Sequence, residues 1–373
     1  MSNEYRTLVI NPKKRTTAIA VFRNYSCIFE RTIQHNELKI KDYDNIMKHA
    51  EYRKNLILKH LEYDGINISK LSAICARGGL LKPISGGTYE VNEAMISDLQ
   101  SGQNGLHPSN LGGIIAKLIA DDLNIKAYIV DPVVVDELNN IARYSGIPEI
   151  PRKSIFHALN HKAVARRAAQ ELNKHYEEIN LIVTHMAGGI TVGAHQSGKV
   201  IDVNNGLDGD GPFSVVRAGS LPAGSLTYLC FSGNYKYDEM IHKIIASSGL
   251  KAYIGTDQID EIEVRIKNGD RIAKEAFSAM AYQIAKEIGA MSAVLSGNVD
   301  GIVLTGELAQ SSLLTQMISD RVNWIADIFI YPGADELQAL NEGTLRVLHG
   351  EEKVKNYTMN GNTKEYLSYE KGL

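Results

Sequence analysis

Arginines, histidines and one aspartate stand at the ends of apolar segments in this chain, where α/β proteins place the groups that meet ligands. Arg77 follows the apolar run LSAICA and opens RGGLLKPISGG, a loop with four glycines. One guanidinium in such a loop could face an anionic ligand; a surface arginine beside an ordinary glycine loop is the plain alternative. Asp131 ends AYIVD, where a carboxylate suits a ligand or caps the next turn as an Asx residue. His157 and His161 lie four apart in RKSIFHALNH and share one helical face, with Ser154 in place to cap the helix. No glutamate of the HExxH kind lies between them, so hydrogen-bond donation to an anion fits better than metal binding. Core histidines are the competing reading. His185 ends a further apolar strand and joins the same set. Arg217 sits in LDGDGPFSVVRAGSLPAG, a long acidic and glycine-rich loop of the kind that serves sites. A guanidinium there could stabilise charge on a transferring phosphoryl group.

The elements that must position these groups show an internal echo. LVINPKKRTTAIAVFRNYSCIFER (Leu8 to Arg31) and LIVTHMAGGITVGAHQSGKVIDVN (Leu181 to Asn204) begin 173 residues apart. Each reads as strand, turn, strand, turn, strand, which predicts a duplicated domain whose copies face each other across a cleft. The first turn of each copy is then a place where phosphates meet backbone N–H groups. In the first copy, INPKKRTTA offers Asn11, Thr16 and Thr17, with Lys13, Lys14 and Arg15 where a glycine would allow close backbone approach. These cations either bind phosphate directly or form a solvated hairpin tip. In the second copy, Gly188 and Gly189 follow the strand directly. VLTGELAQS orders a strand, Gly306 and a helix start, suited to a nucleotide's ribose or phosphates, although Glu307 is an awkward anion there. YPGADELQALNEG reads as a turn at Gly333 and a helix able to close over a base.

Strands alternating with helices predict an α/β protein, and the hairpins predict mixed sheets. Helical periodicity runs over Tyr43–Tyr63, Asn92–Leu99, Asn110–Leu123 and Ile155–Leu172, with buried strands at Leu71–Arg77, AYIVD and Gly301–Gly306. The proline-bearing stretch Gly146–Ser154 is the expected crossover. This places one domain at 1–150 and a second, carrying the nucleotide motifs, at 151–344. The tail 345–373 is expected to pack back on the first, its charged, tyrosine-rich part beyond Glu351 being peripheral.

A chain of 373 residues suits two cores. A net charge of -3 lacks the basic signature of a nucleic-acid binder. Three scattered cysteines match neither a zinc site nor a disulfide framework and point to the cytoplasm. No apolar run reaches membrane-spanning length, and the N-terminus does not read as a signal peptide.

Taken in order, ARGGLLKPISGGTYEVN, YIVDPVVVDEL, RKSIFHALNHKAVA, VIDVNNGLDGDGP, FSGNYKYDEM, AYIGT and AMAYQIAKEIGAM resemble the butyrate kinase branch of the acetokinase family over nearly the whole chain. The resemblance implies the duplicated two-domain, actin-like (ribonuclease H-like) fold of acetate and sugar kinases, with mixed sheets and an interdomain cleft. It implies reversible phosphoryl transfer from ATP to butyrate, isobutyrate or isovalerate, giving ADP and an acyl phosphate, with Mg²⁺. It also implies a homo-oligomer. By position, Asn11 resembles the asparagine near metal and phosphates. Arg77 and Arg217 resemble the arginines that hold the carboxylate and the phosphoryl group. Asp131 resembles the aspartate that orients Mg²⁺ or substrate, and His157 the histidine that donates to the phosphoryl oxygens. Thr16, Thr17, His185, Gly188, Gly189, Gly306 and Gly333 fall on the nucleotide side. The family's NPGSTSTK is here NPKKRTTA, with Lys13, Lys14 and Ala18 replacing glycine, serine and lysine. Ala187 and Glu307 stand where HMGGG and TGG carry glycines. An impaired relative that binds ligand without turnover is therefore the alternative.

Overall fold

The computed structural model describes residues 4–35 and 46–358. By internal contacts the chain divides into two units, Met1–Asp136 with Asp335–Leu373, and Glu137–Ala334. The sequence boundaries fall after 150 and 344. Those observed follow 136 and 334, because the helix after Gly333 packs on the first sheet.

Strands β1 (Arg6–Pro12), β2 (Thr16–Arg23) and β3 (Ser26–Gln34) form an antiparallel meander. β1 is buried along Thr7–Pro12, as a central strand must be, whereas β3 alternates at the sheet edge. The expected helix from Tyr43 is seen as α1 (Ile46–Tyr63); 43–45 lie outside the described residues. There follow β4 (Ala73–Arg77), β5 (Thr88–Glu90), α2 (Glu93–Ser101), α3 (Asn110–Leu123) and β6 (Lys126–Val130). Asn92 caps α2 by accepting the Met95 N–H, and Gly102 ends it in the left-handed region at φ 63°.

The second unit opens with α4 (Ala158–Glu171), shorter than the stretch expected from Ile155. His157, not Ser154, is its N-cap, and no side chain closes the cap, so the turn holding His157 is set by tertiary contacts. A second meander follows: β7 (Asn180–Met186), β8 (Ile190–Gln196) and β9 (Lys199–Val203). Helices α5 (Ala223–Phe231), α6 (Tyr237–Ala246), α7 (Gly249–Ile254) and α8 (Ile259–Lys267) lead to the long α9 (Arg271–Val294), then β10 (Gly301–Gly306), α10 (Ser312–Val322) and β11 (Ile328–Pro332). The chain then returns to the first unit with α11 (Glu336–Leu348) and β12 (Lys355–Asn356), which pairs with β5. The rest of the tail, 359–373, lies outside the described residues.

Among the described residues the sheets run β12-β5-β6-β4-β1-β2-β3 and β11-β10-β7-β8-β9. One pattern recurs. In each unit a meander is extended, on its first strand, by two parallel strands: β4 and β6 beside β1, β10 and β11 beside β7. The meanders even share an irregularity. The register shifts between Val21 and Phe22 in β2 and between Ala194 and His195 in β8, at the spacing of the sequence echo. The second core packs Phe277, Met280, Ile284 and Ile288 of α9 under the sheet, while Ala165 and Ala168 of α4 meet Leu181, Val183 and Val303 on the other face. Among the described residues no helix is long and apolar enough to cross a membrane.

Candidate active site

In the first unit, three of the expected residues stand in one line at the carboxyl ends of parallel strands. Ile10 pairs with Ala76, and Arg77 with Val130, so Asn11, Arg77 and Asp131 leave neighbouring strands at one level. That edge is where open α/β sheets bind ligands. Glu336, in the first turn of α11, joins two of them: its carboxylate accepts from the Asn11 side-chain amide at 2.6 Å and pairs with the Arg77 guanidinium. Burial pushes the Glu336 carboxyl up, but Arg77, the Asn11 amide and Lys13 outweigh it, and the net shift is downward. The Asn11 side chain is buried, and its Oδ1 has no hydrogen-bond partner. Asp131 turns one carboxylate oxygen to the Gly87 N–H at 2.6 Å and has φ 38°, so it orders the glycine loop before β5.

The turn Lys13–Arg15 is held from beneath. Arg53 of α1, fully buried, donates to the carbonyls of Lys13, Lys14 and Thr16 and to the Thr17 hydroxyl, all within 3.1 Å. The Thr17 hydroxyl also meets His35 at 2.7 Å and is wholly buried, which leaves Thr16 as the more accessible of the two expected hydroxyls. Burial, with Arg53 and His49 adding to it, lowers the His35 imidazole to about 4, so it is neutral at pH 7. Lys13, Lys14, Arg15, Ala187 and Glu307 all avoid positive φ, so these turns do not need glycine for their backbone shape.

In the second unit, the expected groups gather at the end of β7. The His157 and His185 rings stack with centroids 3.9 Å apart. His157 Nδ1 meets the Thr191 hydroxyl at 3.0 Å, and His185 Nδ1 meets the Asn160 side-chain oxygen at 2.7 Å. Arg217 donates to the Gly206 carbonyl, and its Nε is buried with no hydrogen-bond partner. Burial pulls this guanidinium below the ordinary arginine value, and Asp208 opposes the shift. Ser214 ties the loop to the turn by donating to the Gly188 carbonyl at 2.7 Å. Gly306 and Gly333 exchange backbone hydrogen bonds of 3.0 and 2.9 Å at the ends of β10 and β11. A Cβ on Gly306 would come 2.3 Å from the Met186 carbonyl, so the ends of β7, β10 and β11 close on one another. Glu307 beside them is exposed.

Asn11, Arg77, Asp131, His157, His185 and Arg217 stand out in the sequence; Glu336, Arg53, Thr191 and His195 do not. The acid opening the helix in YPGADEL is a visible signal for Glu336. Arg53 looks like any charge on an amphipathic helix until the fold buries it. Among the described residues no group of three or more His, Cys, Asp or Glu side chains is arranged to hold a metal ion.

A duplicated meander-led α/β unit, with polar and charged groups at the carboxyl ends of its parallel strands, defines the actin-like two-domain kinase fold. The structure is similar to acetate kinase from Porphyromonas gingivalis, with TM-score 0.77 and 18% identity over 92% of this chain and 100% of that one. It is also similar to acetate kinase from Entamoeba histolytica (TM-score 0.71, 16% identity, 91% and 99% covered) and to a propionate kinase from Francisella tularensis subsp. tularensis SCHU S4 (0.69, 17%, 91% and 98%). Residues 145–326 match the acetokinase family.

Proposed function

We propose that the protein is a short-chain carboxylate kinase of the butyrate kinase type. It moves the γ-phosphoryl of ATP to butyrate, isobutyrate or isovalerate and runs back from acyl phosphate and ADP. The observation that carries this reading is Arg77 at a strand end beside an apolar cavity. The cavity, about 260 Å³, is lined by Ile46, Leu106, Pro108 and Leu111 with Lys14, His49 and His107. A Cβ on Gly112, next to Leu111 in the wall, would clash with the Arg77 carbonyl, so the end of β4 lies against the helix that lines the cavity. Burial lowers the His107 imidazole, and the Arg77 charge lowers it further. A guanidinium for the carboxylate and an apolar wall for its tail suit a small acid better than a sugar.

In the forward direction a carboxylate oxygen attacks the γ-phosphorus as the bond to the β–γ bridging oxygen breaks, and ADP leaves with that oxygen. The acceptor is already ionised at neutral pH, so no base is needed. Arg77 orients the carboxylate. His157 and Arg217 donate to the phosphoryl oxygens as charge spreads over them. The turn at Gly188–Gly189 and the paired glycines 306 and 333 serve the nucleotide. Mg²⁺, a hard cation, fits the unpartnered Asn11 Oδ1 and the Glu336 carboxylate, with Asp131 on the same strand-end line. When bound it would neutralise phosphate charge.

The homo-oligomer that the resemblance implies is proposed on α5, an apolar helix with Tyr228 79% and Phe231 87% exposed. Free Cys27, Cys75 and Cys230 support a cytoplasmic setting.

The alternative, binding without turnover, draws support from Lys13 and Lys14, which stand where the family's glycine and serine would let a phosphate approach the backbone N–H groups. A coupled assay decides between them, using butyrate, isobutyrate, isovalerate, propionate, acetate and a hexose, each with and without Mg·ATP. Turnover of C3–C5 acids supports the kinase; ATP or acid binding by calorimetry without turnover supports the alternative. Hexose phosphorylation without acid turnover defeats both.

A further inference from the structure

His157 is the outer end of a hydrogen-bonded chain that runs into the core of the second unit. Its Nδ1 meets Thr191 Oγ1 at 3.0 Å, and the same hydroxyl meets His161 Nε2 at 2.9 Å. His161 Nδ1 meets His195 Nε2 at 3.3 Å, and His195 Nδ1 meets the Tyr176 hydroxyl at 2.7 Å. Thr191, His161 and His195 are fully buried, and Tyr176 nearly so. The strand builds this chain through its period of two: Thr191, Gly193 and His195 share one face of β8. The His161 ring lies over Gly193, where a Cβ would stand 3.2 Å from its Nδ1.

Both inner imidazoles are held well below the ordinary histidine value. Burial acts first on each, with His195, His185 and Lys162 adding for His161 and with Lys162 and Arg166 adding for His195. Each neutral ring has one donor and one acceptor nitrogen, so the chain runs in one of two senses, and every proton in it is set together. Lys162 and Arg166 lie over the Tyr176 ring at 5.7 and 5.3 Å, and Glu137 pairs with Lys162. A phenol O–H is a stronger donor than a neutral imidazole N–H, which favours a lone pair on His195 Nδ1 and its proton on Nε2. Tyr176 then donates to His195, His195 to His161, His161 to Thr191, and Thr191 to His157.

We propose that His161, His195 and Tyr176 are positioning residues that lock the neutral His157 ring with its proton on Nε2, so that it presents a donor to the transferring phosphoryl group. The role at the phosphoryl group rests on the kinase reading above; the tautomer does not.

Long-range ¹H–¹⁵N correlation spectra of histidine-labelled protein at pH 7.5, beside initial rates, test this. Wild-type His157 should carry its proton on Nε2. Tyr176→Phe removes the terminal donor, and His195→Leu breaks the chain. Each should turn His157 into a mixture of tautomers and lower kcat about tenfold, with both KM values within twofold. His195→Gln, whose amide N–H copies the imidazole Nε2, should restore both readings. A wild-type His157 protonated on Nδ1, or an unchanged tautomer in Tyr176→Phe, overturns the proposal. If His195→Leu does not fold, the wild-type and Tyr176→Phe spectra still decide. If no acid is turned over, the kinase reading fails separately and the spectra alone judge the lock.

Discussion

The Arg217 guanidinium occupies the space a side chain at Gly189 would need: a Cβ there would stand 2.0 Å from Nη1 and 2.7 Å from the Gly206 carbonyl. The glycine after β7 thus seats an arginine as well as making a turn. Gly189→Ala should displace Arg217 and lower kcat tenfold or more, about 1.4 kcal/mol of barrier. Circular dichroism should show the fold unchanged, and wild-type kcat in that variant would refute the seating.

Removing the donors themselves should cost more. His157→Ala and Arg217→Ala are each expected to lower kcat by about 10²–10³, the range for loss of one donor to transition-state charge. Initial rates at saturating ATP and acid measure this, and near-normal turnover in both variants would remove them from the chemistry.

Glu336 links Arg77 and Asn11, and its carboxyl sits below the ordinary value of 4.5. A lowered carboxyl stabilises the fold fully above 4.5, and that contribution fades as pH falls below it through the lowered value. Wild type should therefore exceed Glu336→Gln in denaturant midpoint by a constant margin from pH 6 to 8, and the margin should close below pH 4.5. A margin that widens in acid would contradict the pairing. The same variant should need at least tenfold more Mg²⁺ for half-maximal rate.

Arg53→Leu strips donors from the carbonyls of Lys13, Lys14 and Thr16 and from Thr17. Leaving buried polar groups unpaired costs about 1–3 kcal/mol each where water cannot reach them, so a loss of about 2–4 kcal/mol is expected. Urea unfolding measures it.

The cationic turn separates the active enzyme from the impaired relative. If Lys13 and Lys14 clamp phosphate, Lys13→Gly with Lys14→Ser should raise KM for ATP at least threefold at low salt and less at high salt. If nucleotide handling has decayed, restoring the glycine, together with Lys14→Ser, Ala18→Lys, Ala187→Gly and Glu307→Gly, should tighten ATP binding by calorimetry instead.

The duplicated meander, the mixed α/β sheets and the strand ends carrying Asn11, Arg77, Asp131 and His185 are legible in the order of the amino acids. These follow from local periodicity and from turns written in neighbouring residues. Packing between distant elements closes Glu336 on Arg77, about 260 residues away, and lays Arg53 beneath the Lys13–Arg15 turn. It likewise turns Thr17 to the core and sets His195 in line with His157 and His161. A side chain's partner depends on which elements pack together, and period and composition do not encode that. His195 reads as an ordinary polar residue near a strand end until the face shared with Thr191 and Gly193 brings it under α4.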